Sequence, residues 1–195
     1  MARRVRAHLG QERRYAHSVR VARCADVLAQ RHGSSRVKAR TAGLLHDLAR
    51  LYTKTQLLAE CEARRLPIAA FERARPVLLH AKLGASLARE LFGVHDGDVL
   101  SAIEKHTTAA AEMSPLDCIV YLADSLEPAR QFMQRTALWE LAMHDLTRAM
   151  REVLDVTMRH YAGKGLAPAP TTLQAAVAFG VERLSVTPLE VSASS

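Results

Sequence analysis

Aromatic residues are scarce, 5% of a 195-residue chain with a single Trp, and no alternating apolar–polar segment runs beyond a few residues. With few large β-favouring side chains and many Ala, Leu and Arg, the composition argues against strands and predicts an all-α fold. No apolar run approaches the roughly 18 residues that span a bilayer. The most apolar stretch, Cys118 to Ala123, is closed by Asp117 and Asp124, so no membrane association is expected. The first residues, MARRVRAHLGQERR, carry basic groups with no apolar run behind them, which reads as no secretory signal and a cytoplasmic location. The three cysteines, Cys24, Cys61 and Cys118, lie far apart without a C-x-x-C pair. Neither a disulfide framework nor a thiolate zinc site is indicated. There is no GxGxxG or Walker loop and no internal repeat.

What is present is a core-forming composition: 49% hydrophobic and 24% charged residues exclude a disordered chain. One domain over 1–185 is expected, followed by a flexible tail over 186–195. The first fifty residues hold twelve Lys and Arg against three acids, a local excess of nine positive charges in a chain of net charge +7. That asymmetry suits an anionic partner, a phosphorylated small molecule or a nucleic acid, or else a solvated helix face.

Helical periodicity covers nearly the whole length. His17, Val21, Cys24 and Leu28 form one apolar stripe of a helix that stops before His32-Gly33. A second helix opens after Ser34-Ser35 and runs to His46-Asp47. Thr53 to Gln56 reads as an N-cap for a short helix through Arg64, and Pro67 and Pro76 bracket an irregular or weakly helical link. Further helices are predicted at about 79–92, 96–106, 114–126, 134–145, 146–162 and 171–183, for a bundle of about eight to ten.

Six polar residues fall where this pattern is apolar: His17, His46, Asp47, His80, His106 and Asp124. Asp124 interrupts Ile119 to Ala123, where an unpaired ionised carboxylate costs several kcal/mol. A cation is the simplest compensation, and imidazole plus carboxylate donors suit Fe, Mn, Co, Ni or Zn better than calcium.

This ordered H…HD…H…H…D set resembles the HD-domain metal-dependent phosphohydrolases. The strings HSVRVARCADVLAQRHG (17–33), AGLLHDLAR (42–50), LGASLARELFGV (83–94), AIEKHTT (102–108) and MSPLDCIVYLADSLEPAR (113–130) are similar to the YqeK-type symmetrical diadenosine tetraphosphate hydrolases. The likeness runs over roughly 10–175. The chain departs from that pattern at Ala109-Ala110, where a Gly and a basic residue are usual, at Ala81-Lys82, where Gly-Pro is common, and at Ala169, where a His is usual.

The resemblance implies a divalent metal, iron by preference, as one or two ions held by His17, His46, Asp47 and Asp124. Asp47 is the expected general base or water-positioning group, with His80 and His106 as a second pair of ligands or as phosphate contacts. Arg20, one helical turn after His17, Thr107 and Arg130 are expected at the phosphates, and Tyr121 and Trp139 are candidates for stacking a base. The expected partners are a nucleotide substrate, with ADP or GDP retained as product, and a second copy of the chain as a homodimer; nucleic acid is not expected. Two rivals stand beside diadenosine tetraphosphate cleavage: an HD phosphohydrolase acting on a nucleoside mono-, di- or triphosphate, and a non-catalytic nucleotide- or RNA-binding module using the basic front.

Overall fold

The structure is a computed structural model, and it describes residues 1–181. The predicted tail over 186–195 lies outside the described residues. Among the described residues there are eleven α-helices, one 3-10 turn and no strand. They are α1 (Ala2–Leu9), α2 (Glu12–Arg31), α3 (Arg36–Leu45), α4 (Lys54–Ala63), α5 (Ala70–Ala74), α6 (Leu79–Phe92), α7 (Gly97–Lys105), α8 (Pro115–Leu126), α9 (Arg135–His144), α10 (Leu146–Gly163) and α11 (Pro170–Ala178). The 3-10 turn, Pro76–Leu78, precedes α6.

Nine of the helices coincide with the periodic segments. The two extra ones, α1 and α5, are short: α1 buries only Val5 and Leu9 among its arginines, and α5 is five residues between prolines. The last helix ends sooner than expected because Gly180 turns into the left-handed region at φ 74°, a conformation in which glycine lacks the Cβ penalty. The part of that expectation beyond 181 lies outside the described residues.

Local signals set the boundaries. The Thr53 hydroxyl accepts the Gln56 N–H while the Gln56 side chain accepts the Thr53 N–H, a reciprocal cap for α4. Ser114 and Asp117 do the same for α8, with Pro115 at its first position. Helix α8 is the central post: it packs against α2, α3, α7, α9 and α10. Its residues Leu116 to Ala123 and Leu126 are all buried. The three cysteines are free and buried.

Part of the basic front is held in surface pairs and hydrogen bonds. Arg36 pairs with Asp26 at 2.7 Å, Lys38 with Asp98 at 2.6 Å and Asp96 at 2.8 Å, and Arg31 donates to the Met143 carbonyl at 2.8 Å. Among the described residues, counter-charge from outside the first fifty comes from Asp96 and Asp98 at Lys38 and from Glu127 at Arg20, so most of the excess of nine remains.

Two glycines bring helices together beside the polar residues. At Gly43 a Cβ would lie 2.8 Å from the Ala22 Cα, so α3 presses directly onto the α2 backbone. At Gly84 a Cβ would lie 3.2 Å from the His46 carbonyl oxygen, which seats α6 against the end of α3.

Candidate metal centre

The six residues singled out by the pattern converge from five helices. His17 lies on α2, His46 and Asp47 follow the last turn of α3, His80 opens α6, His106 closes α7 and Asp124 sits on α8. The four histidines and Asp47 are buried, and the Asp124 side chain keeps 18% of its surface exposed.

The histidines are oriented by what their outer nitrogens do. His46 Nδ1 faces the Gly43 carbonyl at 2.8 Å, His106 Nδ1 the Ile103 carbonyl at 2.7 Å, and His80 Nδ1 the Val77 carbonyl. His17 Nδ1 faces Glu127 Oε1 at 3.1 Å. An acceptor at Nδ1 places the proton there and leaves Nε2 with its lone pair in the neutral ring. Those Nε2 atoms point at each other: His17 and His46 are 3.3 Å apart, His80 and His106 3.2 Å. Facing lone pairs are satisfied by a proton or a metal cation between them, and outer-nitrogen bonds of this kind are what orient metal-binding imidazoles.

Asp47 stands between the two pairs. Its Oδ2 is 3.6 Å from His17 Nε2 and 3.4 Å from His46 Nε2; its Oδ1 is 3.5 Å from His80 Nε2 and 3.9 Å from His106 Nε2. Asp124 Oδ1 is 3.0 Å from His17 Nε2 and 3.8 Å from His46 Nε2. Three overlapping sets are tight enough to share an ion: His17–His46–Asp47, His46–His106–Asp124 and Asp47–His80–His106.

The electrostatics agree with that donor set. Burial opposes ionisation of Asp47 and Asp124, yet the neighbouring histidines, led by His46 for Asp47 and His17 for Asp124, hold both carboxyls well below the usual range. Burial pushes His106 down to about 3, aided by His46 and His80, and lowers His80 as well. For His46 burial is outweighed by Asp47, which raises the ring to about 8. Ionised Asp47 and Asp124 beside neutral His80 and His106 are in the forms that ligate a divalent cation, and His46 would give up its proton to do so.

The rim is cationic, though not wholly as the sequence suggested. Thr107 Oγ1 lies 3.2 Å from His80 Nε2 and 3.1 Å from His106 Nε2. Arg130 reaches Asp124 Oδ1 and the Asp124 carbonyl. Arg20, expected at a phosphate, binds Glu127 through Nε at 2.6 Å and Nη2 at 3.2 Å. Glu127 thus links Arg20 to His17 and sets the ring that faces the cluster. Arg14, which the pattern did not single out, donates to Asp47 Oδ2 at 2.7 Å; its position three residues before His17, on the same helical face, was the available signal. Of the stacking candidates, Tyr121 is buried in the core and Trp139 packs against it.

Glu127 yields a pH prediction. Burial raises its pKa, but Arg20, the Ala129 N–H and His17 prevail and lower it from 4.5 to about 2. A depressed carboxyl contributes stability that is complete above its unfolded value and lost as pH falls through the folded one. About 2 kcal/mol of this contribution is expected to disappear between pH 6 and pH 3. Glu127→Gln should remove that part of the acid sensitivity, as read from urea unfolding at both pH values; an unchanged difference contradicts the coupling.

Comparison with known proteins follows the same lines. The HD-domain pattern matches residues 14–129. The symmetrical bis(5'-nucleosyl)-tetraphosphatase of Bacillus subtilis (strain 168) is 35% identical over 147 residues, 75% of this chain and 78% of that protein. The enzyme of the same name from Halalkalibacterium halodurans is 36% identical over 171 residues, 87% of this chain and 89% of that one. A solved HD-superfamily hydrolase from Clostridium acetobutylicum, described as involved in NAD metabolism, superposes with a TM-score of 0.87 at 33% identity, covering 91% of this chain and 94% of that chain. No helix among the described residues is long and apolar enough to cross a membrane. From the match over more than half its length and the identity to these relatives, the chain belongs to the HD-domain family of metal-dependent phosphohydrolases, among the symmetrical bis(5'-nucleosyl)-tetraphosphatases.

Proposed function

We propose that this chain hydrolyses dinucleoside polyphosphates and that its preferred reaction is the symmetrical cleavage of diadenosine tetraphosphate (Ap4A) to two ADP. The observation that carries the reading is the convergence of four imidazole Nε2 atoms and two ionised carboxylates on one buried point beneath a cationic rim. The names of the two bacterial relatives support the substrate class.

In this reading His17, His46, Asp47 and Asp124 would hold the ion; the donor set suits Fe, Mn, Co, Ni or Zn, and iron is assigned on the family resemblance. Such an ion, when bound, supplies Lewis acidity, making water more acidic and drawing charge from a phosphoryl oxygen. Asp47, central and ionised, accepts a hydrogen bond from the attacking water and orients it. His80, His106 and Thr107 contact the phosphoryl group, and Arg130 and Arg20 attract the polyphosphate charge to the rim. ADP or GDP retained as product, a homodimer and a cytoplasmic location belong to the same reading, as the family resemblance implies.

The test is where the bond breaks. Ap4A hydrolysed in heavy-oxygen water is expected to give two ADP with label in one of them, resolved by ion exchange and mass spectrometry. AMP plus ATP would overturn symmetrical cleavage. Preferred turnover of nucleoside mono-, di- or triphosphates run in parallel would move the substrate to the first rival. RNA binding of steep salt dependence without turnover would favour the second.

A further inference from the structure

The cavity that holds the cluster adjoins a polar one about His17 and Arg20 and two that are largely apolar. The central one, about 360 Å³, is walled by Arg14, Asp47, His80, His106, Asp124 and Arg130. Through Leu78 it adjoins a second cavity of about 430 Å³, lined by Phe71, Ala109, Ala110, Ala169 and Pro170. Through Asp124, Ser125, Arg130 and Thr157 it adjoins a third of about 410 Å³, where Phe132, Val153, Val156 and Tyr161 stand. The second and third share no lining residue.

A polar centre full of ligands and cations, bordered by two largely apolar cavities, repeats the layout of a molecule with two bases and a polyphosphate between them. Each flank is in the size range of small-molecule pockets and offers an aromatic ring on which a base can stack. Their chemistry differs. The Phe71 cavity is floored by small alanines, and its two lysines are tied in pairs, Lys82 to Glu72 at 2.9 Å and Lys105 to Asp117 at 2.9 Å. The Phe132–Tyr161 cavity carries two aromatic rings with Arg130 at its junction with the centre.

We infer that the cavity of Phe132 and Tyr161 is a nucleoside subsite and that, with the Phe71 cavity, it holds the two halves of one dinucleoside substrate in unlike surroundings. This rests on the substrate class proposed above. A symmetrical ligand is then bound asymmetrically, and its two bases are read by different residues.

The experiment compares Ap4A with adenosine 5'-tetraphosphate, which has one nucleoside. Phe132→Ala and Tyr161→Ala are each expected to raise KM for Ap4A about tenfold with kcat within about twofold. Adenosine 5'-tetraphosphate should suffer at most about threefold, since its lone nucleoside takes whichever cavity remains, whereas Phe71→Ala combined with Tyr161→Ala should weaken both substrates about tenfold. Phe132→Trp and Tyr161→Phe should restore KM, a recovery that a general loosening of α10 does not give. Unchanged KM for Ap4A in the single variants, or equal loss on both substrates, overturns the subsite. A wild-type chain that leaves Ap4A uncut overturns the proposed function and this inference with it; one that cuts Ap4A while the single variants behave as wild type overturns the subsite alone.

Discussion

Asp47→Asn is expected to empty the metal site and abolish turnover together. Metal per chain should fall below about a tenth of the wild-type value, and kcat/KM by about a thousandfold or more, roughly 4 kcal/mol of transition-state stabilisation. The reason is position. Among the described residues Asp47 is the one side chain whose two oxygens face different histidine pairs, within 3.6 Å of His17 and His46 on one side and 3.9 Å of His80 and His106 on the other. Asparagine keeps the shape and removes the charge that a divalent ion needs beside neutral imidazoles. Asp124→Ala should act in the same direction through the His17 and His46 side of the site. Elemental analysis and kinetics on the same preparations decide the matter: full metal occupancy with lost turnover would confine Asp47 to orienting the water, and retention of both would refute its assignment. Chelation should lower the melting temperature of the wild-type chain more than that of the variant, because an ion that binds the folded state alone adds stability by mass action.

A comparably large effect on the fold is expected from Gly43→Val. The obstacle to a Cβ at 43 is the Ala22 backbone, Cα at 2.8 Å and N at 3.0 Å, which cannot swing aside as a side-chain tip can. Overpacking against main chain is expected to cost about 3 kcal/mol, and forcing α3 off α2 separates His46 from His17. Metal affinity should therefore drop with stability, by at least about tenfold, in titrations of chain that remains folded at low temperature. Gly84→Ala is the milder companion, since its Cβ would meet the His46 carbonyl oxygen at 3.2 Å. A Gly43→Val chain as stable as wild type contradicts the close-packing argument.

The parts of this structure that were legible in the sequence are those written in short-range grammar. Ser114-Pro115, Thr53 with Gln56, and Gly93 after α6 mark helix ends by their own chemistry, and the structure uses them so. The six cluster residues were legible because each is polar on an apolar face. Helix α1 was not, since two apolar residues four apart among arginines make too faint a stripe. The partnerships of the charged residues were also hidden: Arg14 meets Asp47 across 33 positions and Glu127 meets His17 across 110. In an arginine-rich segment nothing local separates a guanidinium that neutralises a buried carboxylate from one in water. The counter-charges of Lys38 were hidden in the same way, because Asp96 and Asp98 lie at the start of α7.

The bonds from His46 to the Gly43 carbonyl and from His106 to the Ile103 carbonyl have an evolutionary consequence. Each closes a helix end whose last carbonyls lack an intrahelical partner, so the inner side of the ring, the proposed metal ligand at 46 and phosphate contact at 106, is tied to a backbone cap on its outer side. Mutational drift at positions 46 and 106 is constrained from both directions. An apolar replacement would forfeit the ion at 46 or the phosphate contact at 106 and also leave a carbonyl without its donor in a dry interior. A lineage losing metal by way of His46 would pass through destabilised intermediates, whereas one losing it at Asp124, which keeps some solvent contact and caps nothing, would meet a shallower slope. Decay of this enzyme into a metal-free relic is expected to start at α8.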